Sequence, residues 1–133
     1  MTPSTDTPRL LRLNIEVAGL REAEAFYATM LGVTGRGQAG SRCYFTCGPV
    51  TLQVLDVSSH GAVHPLPKSL YFAVDDLESI FERARELDCL LPSRYTARLE
   101  VRSLCDRGER SFYVEDPWGN SLCFVEAGTV YEG

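Results

Sequence analysis

Histidines and cysteines are the side chains in this sequence that are best able to act as bases, nucleophiles or metal ligands. The two histidines, His60 and His64, lie in a proline- and glycine-rich stretch without periodicity, so their spacing does not place them on one helix face. We expect them to be solvated loop residues; the alternative is a ligand or general-base role. The five cysteines are an odd number without a Cys-x-x-Cys pair, which indicates reduced thiols rather than disulfides or structural zinc.

The overall charge argues against a nucleic-acid surface. The chain has 13 lysines and arginines against 18 aspartates and glutamates, and phosphate backbones require a dense basic patch that this sequence lacks. No apolar run is long enough to cross a bilayer, and the first residues do not show the basic-then-apolar order of a secretory signal. We therefore expect a cytoplasmic protein with no nucleic-acid or membrane partner.

The elements that position these residues begin with a strand, a helix and a hairpin. Strict alternation over residues 11–17 predicts a strand with one buried face. Apolar residues at helical spacing predict an amphipathic helix over Leu20–Leu31, which Gly32 ends. The glycine-rich residues 34–40 form a connection or a weak edge strand, and two further strands, Arg42–Cys47 and residues 50–57, flank a Gly-Pro turn, so the module is β-α-β-β-β.

The same order of elements recurs after residue 67. Residues 69–74 alternate as a strand, and a second helix runs from about residue 77 to residue 87, with Asp75 and Glu78 as its capping box. Residues 98–104 suggest a strand, and a hairpin over residues 110–126 closes the repeat. We therefore predict a single domain, residues 1–133, with module one at about 9–57, a linker at about 58–67 and module two at about 68–127.

The hairpin turn, Glu115-Asp-Pro-Trp-Gly-Asn120, has strong turn chemistry. Asp116 can bond its own backbone, and Gly119 and Asn120 tolerate positive φ. We expect Trp118 to lie exposed at the tip, where it would cover a pocket mouth or a partner surface.

Two segments resemble a known family. Val17-Ala-Gly-Leu leading to Ala25-Phe-Tyr-Ala-Thr-Met-Leu-Gly32, and Phe112-Tyr-Val-Glu-Asp-Pro-Trp-Gly-Asn120, are similar to the glyoxalase, bleomycin-resistance and ring-cleaving dioxygenase superfamily, also called vicinal oxygen chelate. The resemblance implies an α+β fold in which two βαβββ modules form a curled mixed sheet cup, with helices on the outer face.

The resemblance also implies where a metal would bind. In metal-binding members the first strand of each module usually offers His or Gln, and the last strand commonly offers Glu. The matching positions in this sequence are Arg12, Ser69, Gln53 and Cys123. Arginine has no lone pair to give and serine is a poor neutral ligand, so we expect no metal and no cofactor at this site.

Strand alternation extends the set of residues that face into the cup. A mixed polar and apolar lining suits a small organic molecule. Arg12 would favour a carboxylate or phosphate on that molecule. The alternative is that Arg12 pairs with Glu16 on a solvated face. A reactive Cys123 thiolate would need a cationic neighbour; the alternative is an inert, buried cysteine. The predicted ligand-binding residues are Arg12, Asn14, Gln53, Leu55, Ser69, Tyr71, Cys123 and Val125.

Three functions agree with these observations. The first is a glyoxalase/bleomycin-resistance-like protein that binds a small organic ligand, an anion if Arg12 takes part, without the usual metal positions. The second is a metal-dependent lyase, isomerase or dioxygenase of glyoxalase type with an unorthodox ligand set. The third is a dimeric interaction module without a small ligand. A homodimer is expected in each case, because a half-cup leaves concave surface uncovered.

Overall fold

The computed structural model describes residues 6–37, 40–92, 102–103 and 109–130. The first module contains β1 (Arg12–Val17), α1 (Leu20–Leu31), β2 (Arg36–Gly37), β3 (Arg42–Cys47) and β4 (Val50–Asp56). The second contains β5 (Leu70–Val74), α2 (Leu77–Glu86), β6 (Arg102–Ser103), β7 (Arg110–Glu115) and β8 (Ser121–Glu126), followed by a short 3-10 helix, Ala127–Thr129. This order confirms the predicted α+β class and the repeated βαβββ unit. Most of the predicted strand at 98–104 lies outside the described residues.

Each module folds into one mixed sheet of four strands. The first sheet has the order β1-β4-β3-β2 and the second has the order β5-β8-β7-β6. In each sheet the first and last strands of the module pair in parallel, and the remaining pairs are antiparallel. The parallel pair requires a crossover connection, which the helix of each module supplies.

The helix ends follow from local residue chemistry. Gly32 ends α1 in the left-handed region, at φ 69°, and its N–H donates to the Ala28 carbonyl at 2.9 Å. Asp76, rather than the predicted Asp75, caps α2, because its Oδ1 accepts the Ser79 N–H at 3.1 Å. The capping-box prediction was therefore displaced by one residue.

The core lies between the two modules. Buried residues of α1 and α2 and of the helix-covered faces of both sheets form one apolar cluster. Aromatic contacts join helix to sheet on both sides: Tyr27 packs on Phe45 in the first module, and Phe81 packs edge-on against Phe112 in the second. Each helix therefore packs on the sheet of its own module.

The turn between β7 and β8 closes back on the first module. Asn120, fully buried, donates from Nδ2 to the Glu16 carbonyl at 2.9 Å and accepts the Leu66 N–H at 2.9 Å. The Trp118 indole donates to the Ala18 carbonyl at 3.1 Å, so Trp118 is half-buried against module one and is not an exposed tip as predicted. These bonds tie the linker and both modules together.

The centre of this arrangement is the carboxylate of Asp116, only 3% exposed. Its Oδ1 accepts the Trp118 and Asn120 N–H groups, both at 2.9 Å, as the turn chemistry predicted. Its Oδ2 accepts the Tyr27 hydroxyl at 2.6 Å and the Asn120 Nδ2 at 2.8 Å. We call Tyr27, Asp116 and Asn120 the inter-module clamp.

Candidate functional site

The register of the first sheet places four predicted site residues on its helix-free face. Asn14 pairs with Gln53, and Leu55 is paired with Glu16, while the intervening residues of β1 and β4 face the core. Because paired residues share a face, Arg12, Asn14, Gln53 and Leu55 all lie on the side of the sheet away from α1.

The second sheet holds the other four predicted residues on its own helix-free face. Tyr71 pairs with Cys123, Val125 pairs with Ala73, and the Ser69 hydroxyl lies 2.7 Å from the Ser121 hydroxyl. Cys123 and Val125 are buried, whereas Tyr71 is 65% exposed.

The register divides the eight predicted residues into two groups of four, one on each sheet. Among the described residues, their pairings and the hydrogen bonds Gln53–Asn14 and Ser69–Ser121 stay within one sheet. That both groups line one cup stays a prediction.

Gln53 is an unsatisfied polar side chain on the first of these faces. It is 7% exposed, and its Nε2 donates to Asn14 Oδ1 at 3.0 Å. Its Oε1 is buried and has no hydrogen-bond partner in the part of the chain that the structure describes. Because native proteins pair nearly all buried polar atoms, an orphaned carbonyl oxygen at a sheet face points to a missing donor.

Arginines converge on the same face. Arg36 pairs with Tyr44, and Arg42 pairs with Leu55, so both side chains share the face of Arg12 and Gln53. The Arg12 guanidinium lies 5.8 Å from the Tyr44 ring centroid, a cation–π distance. We call this surface, with Arg12, Arg36, Arg42, Tyr44 and Gln53, the arginine face.

Sequence reasoning missed Arg36 and Arg42. The alternation of Arg42, Tyr44 and Thr46 against Cys43, Phe45 and Cys47 was a signal for Arg42, whereas β2 is only two residues long and has no period to read. Glu16, the expected partner of Arg12, instead accepts the His64 backbone N–H at 2.9 Å, which is the main reason why its pKa is lowered.

The helix-free face of the second sheet is mostly uncharged. The hydroxyls of Tyr71 and Tyr113 lie 3.2 Å apart. Burial, and then hydrogen bonds with Tyr71 and Cys123, raise the pKa of Tyr113 above its ordinary value. Cys123 therefore has Tyr71 and Tyr113 as its paired neighbours, whereas the cation Arg12 belongs to the other sheet.

The four family metal positions do not offer a fitting donor set. Arg12 and Gln53 lie on one sheet, Ser69 and Cys123 lie on the other, and neither pair contains a carboxylate or an imidazole. Among the described residues, no group of three or more His, Cys, Asp or Glu side chains could hold a metal ion. The His64 ring contacts Glu16, on the helix-free face of the first sheet, at 3.3 Å on an exposed surface.

A cavity of about 560 Å³ lies between the two modules, away from most of the predicted site residues. Its walls include the half-buried residues Leu13, Leu31, Phe72 and Val74, and of the eight predicted residues only Tyr71 lines it. We call it the inter-module cavity.

No protein-family model and no curated protein matches the sequence. Solved structures do match. A glyoxalase-related enzyme from Fulvimarina pelagi has a TM-score of 0.73 at 15% identity, over 96% of this chain and 94% of that one. A lactoylglutathione lyase from Agrobacterium tumefaciens has a TM-score of 0.62 at 23% identity, over 94% and 96%. The oxidase ChaP-H2 has a TM-score of 0.68 at 25% identity, over 91% and 94%. No helix in the described part of the chain is long and apolar enough to span a membrane.

Proposed function

We propose that this protein is cytoplasmic and binds a small organic anion on its arginine face. Its fold is that of the vicinal oxygen chelate superfamily, to which glyoxalases and bleomycin resistance proteins belong. The observation that carries this proposal is the arginine face itself, where Arg12, Arg36 and Arg42 share one side of the sheet. On the same side Gln53 Oε1 is buried and has no donor among the described residues. A ligand with an N–H or O–H group would supply that donor. The free thiols of Cys43, Cys47 and Cys89 fit a reducing compartment.

The charge of the arginine face supports an anionic ligand. The whole chain has a net charge of −5, yet this face carries Arg12, Arg36 and Arg42. The one glutamate on the described part of that face, Glu16, is engaged by His64. Guanidinium groups bind carboxylate and phosphate in paired hydrogen bonds, so they would select a ligand of that kind.

Binding without metal chemistry is the part of the proposal that separates this chain from a glyoxalase-type lyase or dioxygenase. The donor set at the family positions does not fit a catalytic ion, for the reasons given above. Elemental analysis of protein purified without chelator tests this point. About one equivalent of a divalent transition ion, lost in a Cys123→Ala variant, would favour the metal-dependent enzyme instead.

The binding site itself is tested with benzoate as the probe anion, by isothermal titration at low and high salt. Arg12→Gln should weaken benzoate binding by about tenfold, because a charge-assisted hydrogen bond contributes about 1.5–3 kcal/mol. Arg21→Gln, an exposed arginine on α1, is the matched control and should bind as the wild type does. Equal affinity in all three proteins would refute the arginine face as the site.

Gln53 offers an independent readout. Gln53→Met removes the orphaned oxygen at similar volume, so the free energy of unfolding should stay the same or rise. The probe here is 4-hydroxybenzoate, whose hydroxyl can donate to that oxygen, and its binding should fall more than the binding of benzoate, which has no donor. A clear loss of stability with unchanged binding would mean that Gln53 has a purely structural role.

We also propose that the chain acts as a homodimer. The helix-free faces of both sheets lie outside the core of one chain, and Asn14 and Tyr71 on them are exposed. A second copy would cover this surface. Light scattering that gives a monomeric mass at micromolar concentration would exclude the dimer.

A further inference from the structure

The inter-module cavity is an apolar volume that one chain leaves partly open. Its walls come from both modules and include the half-buried side chains of Leu13, Leu31 and Phe72. Its opening is marked by exposed lining residues: Leu10 is 61% exposed and Val33 is 36% exposed. A volume of about 560 Å³ lies within the range of pockets that bind small organic molecules.

The described lining of this cavity is uncharged, and arginines reach its edge: Arg83 Nη1 donates to the carbonyl of the lining residue Met30 at 3.4 Å, and Arg36 bonds Thr46. None of the described residues that line it is an aspartate, glutamate, lysine, arginine or histidine. Thr46 belongs to the lining, and its Oγ1 accepts a hydrogen bond from Arg36 Nη1 at 2.6 Å. Thr46 pairs with Thr51 and shares the arginine face through the register of β3, so the apolar cavity and the arginine face meet at the Arg36–Thr46 contact.

We infer that the ligand is an amphipathic anion whose apolar body fills the inter-module cavity and whose carboxylate, or a similar group, binds Arg36. This inference rests on the proposed function and specifies its ligand class. A small hydrophilic anion would leave the cavity walls in contact with water, and a neutral hydrocarbon would make no use of Arg36. A molecule with both parts removes apolar surface from water and pairs the guanidinium.

The described parts of the chain offer no segment suited to filling the cavity instead. Residues 6–9, which lead into Leu10, are Asp, Thr, Pro and Arg. Besides the lining residues Leu10, Val33 and Tyr71, the exposed large apolar side chains of the described surface are Leu11, Leu87 and Val130, which belong to separate parts of the structure. None of them forms a continuous apolar element that a second copy could insert.

The test uses decanoate and decanol as probes on the full chain, by titration calorimetry below the concentration at which decanoate forms micelles. Arg36→Gln removes the cationic group, and Val33→Trp obstructs the opening with a larger side chain at an exposed position. Val130→Trp is the matched control, because Val130 is 38% exposed and does not line the cavity. Circular dichroism and thermal melts establish that each variant is folded.

The expected result is that Arg36→Gln weakens decanoate binding by about tenfold and leaves decanol binding unchanged. Val33→Trp should weaken both probes by at least about tenfold, and Val130→Trp should weaken neither. The inference would be overturned if the protein bound decanoate and decanol with equal affinity. It would also be overturned if Val33→Trp did not change the affinity for decanoate. Benzoate binding that depends on Arg12, together with no decanoate binding, would overturn it while leaving the proposed function in place. No binding of any of the three probes would overturn both.

Discussion

Removing one hydroxyl from the inter-module clamp should measurably destabilise the protein. Tyr27 is fully buried in α1, and its hydroxyl donates to Asp116 Oδ2 at 2.6 Å, across 89 residues of sequence. Tyr27→Phe deletes this donor and keeps the ring that packs against Phe26 and Phe45. The change therefore isolates one hydrogen bond between the modules.

The magnitude follows from the charge of the acceptor and from what remains after the change. Asp116 keeps three other donors, two backbone N–H groups and Asn120 Nδ2, so the carboxylate is not left unpaired. A hydrogen bond to a charged group contributes about 1.5–3 kcal/mol, and we expect a loss of about 2 kcal/mol in the free energy of unfolding. With an unfolding entropy of about 2.1 cal/mol/K per residue, 133 residues give about 0.28 kcal/mol/K, so Tm should fall by about 7 °C.

Urea unfolding followed by circular dichroism measures this loss, with Tyr71→Phe as the matched control. Tyr71 also makes a hydroxyl contact, at 3.2 Å to Tyr113, but it is largely exposed and its removal should cost under about 0.5 kcal/mol. If Tyr27→Phe costs no more than Tyr71→Phe, the buried Tyr27–Asp116 bond does not stabilise the fold as described.

Burial raises the pKa of the Cys89 thiol to about 11. Iodoacetamide at pH 8 should therefore label Cys89 slowly until urea unfolds the chain. Rapid labelling of Cys89 in the native protein, measured by mass spectrometry, would contradict this. Hydrogen bonding to Arg110 holds the pKa of Glu78 below its ordinary value of 4.5. That contact stabilises the fold above pH 4.5 and is lost as pH falls through the lower folded pKa, so Arg110→Gln should flatten the dependence of the urea midpoint on acidic pH. Asp76→Ala removes the α2 cap and should cost about 1 kcal/mol in urea unfolding, whereas Asp75→Ala should not.

The repeated local patterns of this chain predict most of its fold. Helix α1 has the predicted bounds, Leu20–Leu31, because an apolar stripe and a glycine stop are both local signals. The closing hairpin follows from alternation on either side of a strong turn, and Gly119 supplies the expected positive φ. The α2 cap is less determined, since Asp75 and Asp76 have the same chemistry and only the helix geometry distinguishes them.

The candidate site was less accessible to such reasoning because it depends on contacts between distant segments. Arg36 reaches the arginine face only through the pairing of β2 with β3. Asn120 reads as a turn residue, and nothing near it in the sequence indicates a bond to the Glu16 carbonyl. The inter-module cavity depends on how two modules pack, which the pattern of either module alone does not specify.

The hydrogen bonds that Asn120 and Trp118 make to the end of β1 also have a consequence for protein synthesis. The carbonyls of Glu16 and Ala18 accept hydrogen bonds from side chains that lie 104 and 100 residues later in the chain. On the ribosome the first module therefore emerges long before Trp118 and Asn120, which donate to these two carbonyls. We predict that a fragment of residues 1–67 stays loosely packed. Limited proteolysis of stalled nascent chains tests this: resistance should appear only once the turn at Asn120 has left the exit tunnel, and earlier resistance would show that the first half folds alone. The turn between β7 and β8 thus supplies hydrogen bonds that the end of β1 lacks until that turn has been translated.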